Sequence, residues 1–280
     1  MKNIFVVGAG TMGLDIAQVF CSAGYPVTVY DMTDEIIARS RARLEKGLSK
    51  RVEKGKMTAE QKDAVMNGIA FTTQYDNAKQ ADLVIEAIIE NVEVKKTVFR
   101  NLDALCPAET IFATNTSSIS ITEIAAATAR PDRCIGMHFF NPATVMKLVE
   151  VIRGMATSDE TFRAVYDLAA DIGKTPVEVS EAPGFVVNRI LIPMINEAIG
   201  LVAEGVASPE DIDTAMKLGA NHPMGPLALG DLIGLDVVLA IMDTLFNETK
   251  DGKYRAHPLL KKMVRANLLG RKTGRGFYQY

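Results

Sequence analysis

Short apolar runs alternate with longer amphipathic segments along the chain as far as Ser180. The apolar runs are rich in β-branched residues and predict strands at residues 3–7, 27–30, 70–72, 83–86, 111–114, 134–137, 148–152 and 175–179. Strands that alternate with helical segments are typical of a mostly parallel sheet covered by helices. The sequence therefore predicts an α/β fold for this part of the chain.

The segment between the second and third predicted strands is longer than an ordinary crossover connection. It predicts a charged helix over residues 35–55 and a second helix that Thr58 caps. This arrangement is a helical hairpin inserted into the sheet, and long insertions often carry function.

The pattern changes near Pro183 and Gly184, after which helical periodicity dominates until the last few residues. Helices are predicted at residues 186–205, 209–218, 226–246 and 257–266. The second has an explicit start, with Ser208 as N-cap and Pro209 at the first helical position. We therefore expect two domains, residues 1–184 with the sheet and residues 185–280 entirely helical.

Composition narrows the functional classes. Hydrophobic residues make up 48% of the 280 residues, and the net charge of −3 gives no reason to expect nucleic acid or an anionic membrane as partner. No apolar run reaches the roughly 18 residues that span a bilayer, and the first residues lack the features of a signal peptide. Three cysteines without CxxC spacing indicate neither a disulfide framework nor a metal site. A cytoplasmic location is the simplest expectation.

The first strand runs into a glycine-rich turn and a helix in the segment IFVVGAGTMGLDIAQVF. Gly8, Gly10 and Gly13 have GxGxxG spacing, in which the first glycine makes the tight turn, the second admits a pyrophosphate and the third lets helix and strand pack. Thr11 and Met12 would open the helix, whose N-terminal N–H groups favour phosphate. The pattern predicts a Rossmann-type domain that binds a dinucleotide.

Asp31 ends the next predicted strand. A carboxylate at this place accepts hydrogen bonds from ribose hydroxyls and repels a 2′-phosphate, so the expected cofactor is NAD rather than NADP. The alternative is a glycine turn without a ligand, beside an aspartate that only caps a helix.

Polar side chains interrupt the apolar pattern at three predicted strands. Asn115 and Ser117 follow the strand at 111–114, His138 follows the strand at 134–137, and Glu150 lies within the strand at 148–152. A dehydrogenase of alcohols needs a base for the hydroxyl proton, and a carboxylate beside a histidine fixes its tautomer. From spacing alone, His138 is equally well a hydrogen-bonded core residue, and Ser117 is better explained as a helix N-cap.

Seven segments together resemble the L-3-hydroxyacyl-CoA dehydrogenase family, and most of all its short, single-function bacterial members: GAGTMG, ADLVIEAIIENVEVK, ATNTSSISIT, GMHFFNPATVMKLVEVI, APGFVVNRI, HPMGPLALGDLIGLD and GRKTGRGFYQY. The resemblance spans nearly the whole chain. It implies reversible, NAD-dependent oxidation of a short-chain (S)-3-hydroxyacyl-CoA, such as 3-hydroxybutyryl-CoA, to the 3-oxoacyl-CoA. It also implies a homodimer and a place in fatty acid or butanoate metabolism.

The resemblance also implies roles for individual residues. His138 would be the catalytic base and Glu150 its electrostatic partner, while Ser117 and Asn188 would hold the region around C3 of the substrate. Without the resemblance, Asn188 would be taken for an exposed helix residue. Further cofactor contacts are implied for a set of polar residues: Glu90, Lys95, Asn115, Ser117, Asn141 and, in the tail, Lys272.

The first helix of the inserted hairpin has a basic stripe. Five cations share one of its faces: Arg39, Arg43, Lys46, Lys50 and Lys54. By itself such a stripe is most often a solvated face. In the family that the chain resembles, the equivalent hairpin contacts coenzyme A, so Lys50 and Lys54 are candidates for binding the phosphates of an acyl-CoA.

Two other functions remain open at this point. One is a dehydrogenase of the same architecture that acts on another hydroxy acid, such as L-gulonate, which has no phosphates for the basic stripe to bind. The other is a catalytically silent NAD-binding protein. The abundance of Leu, Ile, Met and Ala in the helical part predicts self-association there, while acyl chain length and the physiological direction are not determined by the sequence.

Overall fold

Eight strands form one sheet in the first part of the chain, in the order β3-β2-β1-β4-β5-β6-β7-β8. The computed structural model describes residues 1–280. The strands are β1 (Ile4–Val7), β2 (Val27–Tyr30), β3 (Ile69–Thr72), β4 (Leu83–Glu86), β5 (Ile111–Thr114), β6 (Cys134–Phe139), β7 (Leu148–Arg153) and β8 (Thr175–Ser180). Neighbouring strands are parallel except β6 and β7, which are antiparallel. The predicted mostly parallel sheet is confirmed, with His138 inside β6 rather than after it.

Six helices accompany the sheet: α1 (Thr11–Ser22), α2 (Asp34–Glu53), α3 (Ala59–Gly68), α4 (Val92–Leu105), α5 (Ile121–Ala125) and α6 (Asp159–Asp171). Alternation along β1 separates two cores, because successive side chains point to opposite faces of a sheet. Ile4 and Val6 join a cluster that includes residues of α1, α2 and α6, whereas Phe5 and Val7 join one that includes residues of α4 and α5. Helices therefore cover both faces of the sheet.

The inserted hairpin consists of α2 and α3. Thr58 caps α3 as predicted, in a reciprocal pair of hydrogen bonds with Gln61. Leu44 and Leu48 are buried in the core on the α1 side of the sheet, which fixes the hairpin to the sheet through one face of α2.

The remaining helices are α7 (Val187–Ala203), α8 (Pro209–Gly219), α9 (Pro226–Ile233), α10 (Leu235–Thr249) and α11 (Pro258–Arg265). The prediction of one helix over residues 226–246 is wrong. Gly234 has a φ of 104°, a conformation that favours glycine, and it separates α9 from α10. Its N–H bonds to Gly230 and its carbonyl accepts from Val238, so it ends one helix and begins the next.

Contacts divide the chain into two units, Met1–Glu181 and Ala182–Tyr280. The second unit has its own apolar core, which includes Ile195, Leu227 and Met242. The buried Asp231 holds the C-terminal tail by accepting hydrogen bonds from the N–H groups of Phe277 and Tyr278. Across the molecule, none of the helices combines the length and the apolar character that crossing a bilayer requires.

Candidate active site

Three glycines lie in the turn after β1 and in the first turn of α1, and glycine suits each position for a different physical reason. Gly8 has a φ of 106°, and a Cβ there would lie 2.6 Å from the carbonyl oxygen of Ala87. A Cβ on Gly13 would collide with the carbonyl oxygen of Gly8. A Cβ on Gly10 would meet no protein atom within 4 Å. The protein itself therefore requires glycine at positions 8 and 13, whereas the open side at Gly10 leaves room for a ligand to approach the backbone.

The N-terminus of α1 suits an anion. Gly10 is its N-cap, no side chain caps the first N–H groups, and the first turn, which begins with Thr11 and Met12, holds no acidic residue. Helix N-termini of this kind bind phosphate through unpaired N–H groups and the helix dipole. These residues therefore fit the pyrophosphate of a dinucleotide.

Asp31 lies at the end of β2, beside this turn. Its carboxylate accepts hydrogen bonds from the N–H of Ala9 at 2.8 Å and from its neighbour Met32 at 2.7 Å. Both bonds are made to the backbone, so the carboxylate is held beside the turn, where it can still accept hydrogen bonds from ribose hydroxyls.

A buried ion network lies under the loop that follows β5. Lys95 of α4 is 1% exposed and pairs with Glu86 at 2.7 Å and with Glu90 at 3.3 Å. Glu86 ends β4 and also accepts a hydrogen bond from Thr114 at 2.7 Å. Because Lys95 is this deeply buried, its ammonium group is placed to fix Glu90, and any effect on a bound cofactor would pass through that carboxylate.

Glu90 connects this network to the serine loop. Its Oε1 accepts hydrogen bonds from the Thr116 hydroxyl at 2.5 Å and from the Ser117 N–H at 2.9 Å. Burial is the largest effect on its pKa and raises it, but Lys95 and these hydrogen bonds together outweigh burial and leave the pKa of Glu90 below its usual value. Glu90 is therefore an ionised carboxylate that fixes the backbone of Ser117.

His138 and Glu150 face each other across the antiparallel pair β6 and β7, where they are direct partners in the register. His138 Nδ1 lies 2.8 Å from Glu150 Oε2, and the side chains are 5% and 1% exposed. His138 Nε2 lies 3.1 Å from Ser117 Oγ. Because an ionised carboxylate can only accept, Nδ1 carries the proton in the neutral ring and Nε2 is the acceptor. The structure thus brings together three residues that are up to 33 positions apart in the sequence.

Asn115 and Asn141 flank this group. The side-chain oxygen of Asn115 accepts a hydrogen bond from the N–H of Phe139 at 2.8 Å, which ties the serine loop to β6. Asn141 is exposed and precedes Pro142 through a cis peptide bond. Both residues lie at the end of the sheet where β5 and β6 finish.

The loop after β6 is braced by two charged residues that no sequence motif indicates. Asp15 of α1 accepts from the Ala143 N–H at 3.1 Å, and Lys174 donates to the Ala143 carbonyl at 2.5 Å. Burial raises the pKa of Asp15, against opposing effects of the Ala143 N–H and of Arg43, and burial lowers the pKa of Lys174. These residues fix the loop that carries Asn141.

Glu86 is also a residue of the buried ion network that is not among the predicted site residues. It ends an apolar run in ADLVIEAIIE, a charged side chain in an apolar strand, which is the same signal that marked Glu150. That signal was present in the sequence and would have identified it.

The basic stripe of α2 does not act as one group. Arg43 turns toward the glycine turn, where it donates hydrogen bonds to the Ala9 carbonyl and to Thr11. Lys50 lies in the last turn of α2 and Lys54 is its C-cap, both exposed. At 1.5 Å per residue, Lys50 is about 10 Å further along the helix than Arg43.

The second unit contains the two other predicted residues. Asn188 is the second residue of α7 and is half-buried. Lys272 lies in the C-terminal tail and forms an ion pair with Asp236 in the first turn of α10.

Comparisons with known proteins agree with this architecture. Residues 3–182 match the model of the 3-hydroxyacyl-CoA dehydrogenase NAD binding domain, and residues 184–280 match the model of the C-terminal domain of the same family. The chain is 61% identical over 278 residues to 3-hydroxybutyryl-CoA dehydrogenase of Clostridioides difficile, covering 99% of each chain. It is 45% identical over 288 aligned positions to human mitochondrial hydroxyacyl-coenzyme A dehydrogenase, covering all of this chain and 91% of that protein.

A solved structure is also similar over the whole chain. The crystal structure of (S)-3-hydroxybutyryl-CoA dehydrogenase from Ralstonia eutropha superposes with a TM-score of 0.96 at 50% identity, covering 100% of this chain and 99% of that one.

Proposed function

The chain belongs to the 3-hydroxyacyl-CoA dehydrogenase family and is an NAD-dependent oxidoreductase, and we propose that it interconverts (S)-3-hydroxybutyryl-CoA and acetoacetyl-CoA. The observation that carries the proposal is the position of His138, which has one ring nitrogen within hydrogen-bond distance of Glu150 and the other within hydrogen-bond distance of Ser117. Relatives named for this substrate are similar over nearly the whole chain.

In oxidation, Nε2 of His138 takes the proton of the C3 hydroxyl group while the C–H bond at C3 breaks. Bound NAD supplies the acceptor for the hydride. Glu150 stabilises the imidazolium that forms. The Ser117 hydroxyl, which donates to Nε2 before substrate binds, would then donate its hydrogen bond to the C3 oxygen instead. In reduction, the same imidazolium returns its proton to that oxygen. Asn188 is proposed to orient the substrate around C3.

The dinucleotide would be held by the turn and by the polar groups around it. The backbone at Gly10 and the N-terminus of α1 fit its pyrophosphate, and the carboxylate of Asp31 fits the adenosine ribose. Glu90, Asn115, Asn141 and Lys272 are proposed as further contacts. Lys95 would contribute indirectly, by fixing Glu90.

The direct test is NADH oxidation in the presence of acetoacetyl-CoA, followed by the loss of NADH absorbance. We expect turnover in the wild-type protein and a kcat lower by about 10²- to 10⁴-fold in His138→Ala. NADH should bind both proteins equally in a fluorescence titration. Turnover of L-gulonate but not of the thioester would support the rival dehydrogenase, and NADH binding without turnover of either substrate would support a silent NAD-binding protein.

Lys50 and Lys54 are proposed to bind the phosphates of coenzyme A. Both are exposed cations on the α2–α3 hairpin, and Arg43 of the same stripe is engaged elsewhere. Reversing both charges to glutamate should raise KM for acetoacetyl-CoA and leave KM for acetoacetyl-pantetheine, which lacks the phosphates, unchanged. Arg41→Glu on the same helix is the matched control. An unchanged KM for acetoacetyl-CoA would contradict this role.

Self-association through the helical unit is also proposed. Large apolar side chains remain exposed there, among them Ile190 at 68%, Val206 at 63% and Leu218 at 83%. Exposed apolar groups of this size mark interaction surfaces when they lie together. Light scattering of the purified protein would give the mass of a dimer, and a monomer mass at micromolar concentration would contradict the proposal.

A further inference from the structure

Arg43 lies at the dinucleotide turn although it is 30 residues away from Gly13 in the sequence. Nη2 donates to the carbonyl oxygen of Ala9 at 3.1 Å, and Nη1 donates to the hydroxyl of Thr11 at 3.2 Å. Ala9 lies between Gly8 and Gly10, and Thr11 is the first residue of α1. The guanidinium group is therefore fixed at the start of the helix whose N-terminus would bind the pyrophosphate.

The contact is fixed from the side of α2 as well. The Ser40 hydroxyl, one helical turn before Arg43, is buried and donates to the same Ala9 carbonyl at 2.8 Å. Leu44, the next residue after Arg43, is buried in the core. The backbone of α2 is thus held against the turn independently of the charge on Arg43.

The negative charges around the turn make the positive charge of Arg43 important for binding an anion. Asp31 accepts a hydrogen bond from the Ala9 N–H. Asp15 lies on the second turn of α1, where burial raises the pKa of its carboxyl group and the charge of Arg43 opposes that increase. Two carboxylates near an anion-binding turn would disfavour a phosphate by repulsion. Arg43 is exposed, and a guanidinium has five N–H donors in all, so the two bonds to the protein leave donors for another acceptor.

We propose that Arg43 is a phosphate-binding residue of the dinucleotide site and does not belong to the group that binds coenzyme A. This inference rests on NAD binding by the glycine turn and deepens it. The ligand chemistry is an adenosine phosphate, either the pyrophosphate that every NAD carries or the 2′-phosphate of NADP, which an arginine at this kind of turn accommodates.

The test measures affinity rather than turnover. Arg43→Gln keeps hydrogen-bond donors and most of the length of the side chain but removes the charge. If the contact is with the pyrophosphate, we expect the Kd of NADH, measured by fluorescence titration, to rise about 3- to 10-fold at low salt, because the site is exposed and the charge-assisted bond is partly screened. If the contact is with the 2′-phosphate, we expect the same rise in the Kd of NADPH and none in that of NADH. The increase should shrink at high salt. Arg41→Gln removes the same charge from an exposed position on the same helix and should leave the Kd unchanged.

Two further arms separate a binding role from a structural one. Ser40→Ala removes the other hydrogen bond to the Ala9 carbonyl without changing the charge. If Arg43 only fixes the turn, the two variants will change the Kd of NADH alike and with the same salt dependence, and the proposal is overturned. If Arg43 binds phosphate, Arg43→Gln alone will lose salt dependence, and Arg43→Lys will restore part of the affinity.

Competition with fragments identifies the phosphate. Weaker binding of ADP-ribose with unchanged binding of adenosine supports contact with the pyrophosphate. A loss confined to NADPH supports contact with the 2′-phosphate. Unchanged affinity for all of these ligands overturns the proposal. Absence of turnover with acetoacetyl-CoA in a wild-type protein that binds NADH would refute the proposed function and leave the role of Arg43 standing.

Discussion

Replacing Glu150 by glutamine removes one charge from the buried pair with His138 and keeps the size of the side chain. The two interacting atoms are 2.8 Å apart, so the centres of charge of an imidazolium and a carboxylate would be about 4 Å apart. At an effective dielectric constant of about 20, their attraction is about 4 kcal/mol. The imidazolium forms as the substrate loses its proton, so this attraction lowers the activation barrier and its loss corresponds to about 10³ in rate.

The glutamine amide oxygen can still accept a hydrogen bond from Nδ1, which retains part of this effect. We therefore expect kcat for oxidation of (S)-3-hydroxybutyryl-CoA in Glu150→Gln to fall by about 10²- to 10³-fold, with the Kd of NADH unchanged. The assay is steady-state NADH formation beside a fluorescence titration. Glu178→Gln, which changes a 55% exposed carboxylate on the neighbouring strand β8, is the matched control and should change kcat less than twofold.

Two outcomes would refute the reasoning. A kcat within about threefold of the wild type would show that the carboxylate contributes little to the barrier. A parallel loss of NADH binding and of thermal stability would show that the pair mainly holds β6 and β7 together.

Three further predictions concern the cofactor turn and the ion network. Gly10→Ala should keep the wild-type Tm and raise the Kd of NADH at least about tenfold, because the added Cβ meets no protein atom but occupies space for the pyrophosphate. Gly13→Ala should instead lower Tm by several degrees, because its Cβ collides with the Gly8 carbonyl oxygen. Equal effects of the two variants on Tm and on the Kd of NADH would contradict the assignment. Lys95→Met leaves two carboxylates beside each other without their cation and should lower the free energy of unfolding by about 3–5 kcal/mol in urea titrations, while a loss under 1 kcal/mol would show that the network is not needed for stability. The pKa of Glu90 is below its usual 4.5, so ionised Glu90 stabilises the fold above that pH and this contribution disappears as the pH falls below it. The difference in the free energy of unfolding between wild type and Glu90→Gln should therefore be largest at neutral pH and shrink below about pH 4.5, and a pH-independent difference would contradict this account.

Local pattern was enough for most of the elements and not enough for two details. Every predicted strand is present, because short runs of β-branched residues bounded by turn residues carry their own signal. The split of the helix at Gly234 was missed, since an isolated glycine in an apolar helical pattern is tolerated as often as it ends a helix. The extension of β6 through His138 was also missed, because pairing with β7 decides where that strand ends.

The predicted site divides in the same way. The glycine turn and Asp31 could be predicted, because their chemistry follows from spacing within one strand–turn–helix unit. The contacts of Glu90 with the Ser117 backbone and of Arg43 with Ala9 could not be predicted. They join residues that are 27 and 34 positions apart, respectively, through the packing of separate elements. The family resemblance indicated several site residues, but it did not indicate which protein atoms each of them contacts.

The sequence by itself determined the fold class, the family, the dinucleotide turn and the residue types that the chemistry needs, because periodicity and short motifs are properties of neighbouring positions. It left His138 undecided between a core residue and a base. The tertiary structure decided that β7 runs antiparallel to β6, which places Glu150 directly opposite His138 in a region that is almost closed to water. It also decided that Arg43 contacts the cofactor turn and is separate from the other cations of the basic stripe, because the packing of α2 against the sheet fixes which way that residue faces.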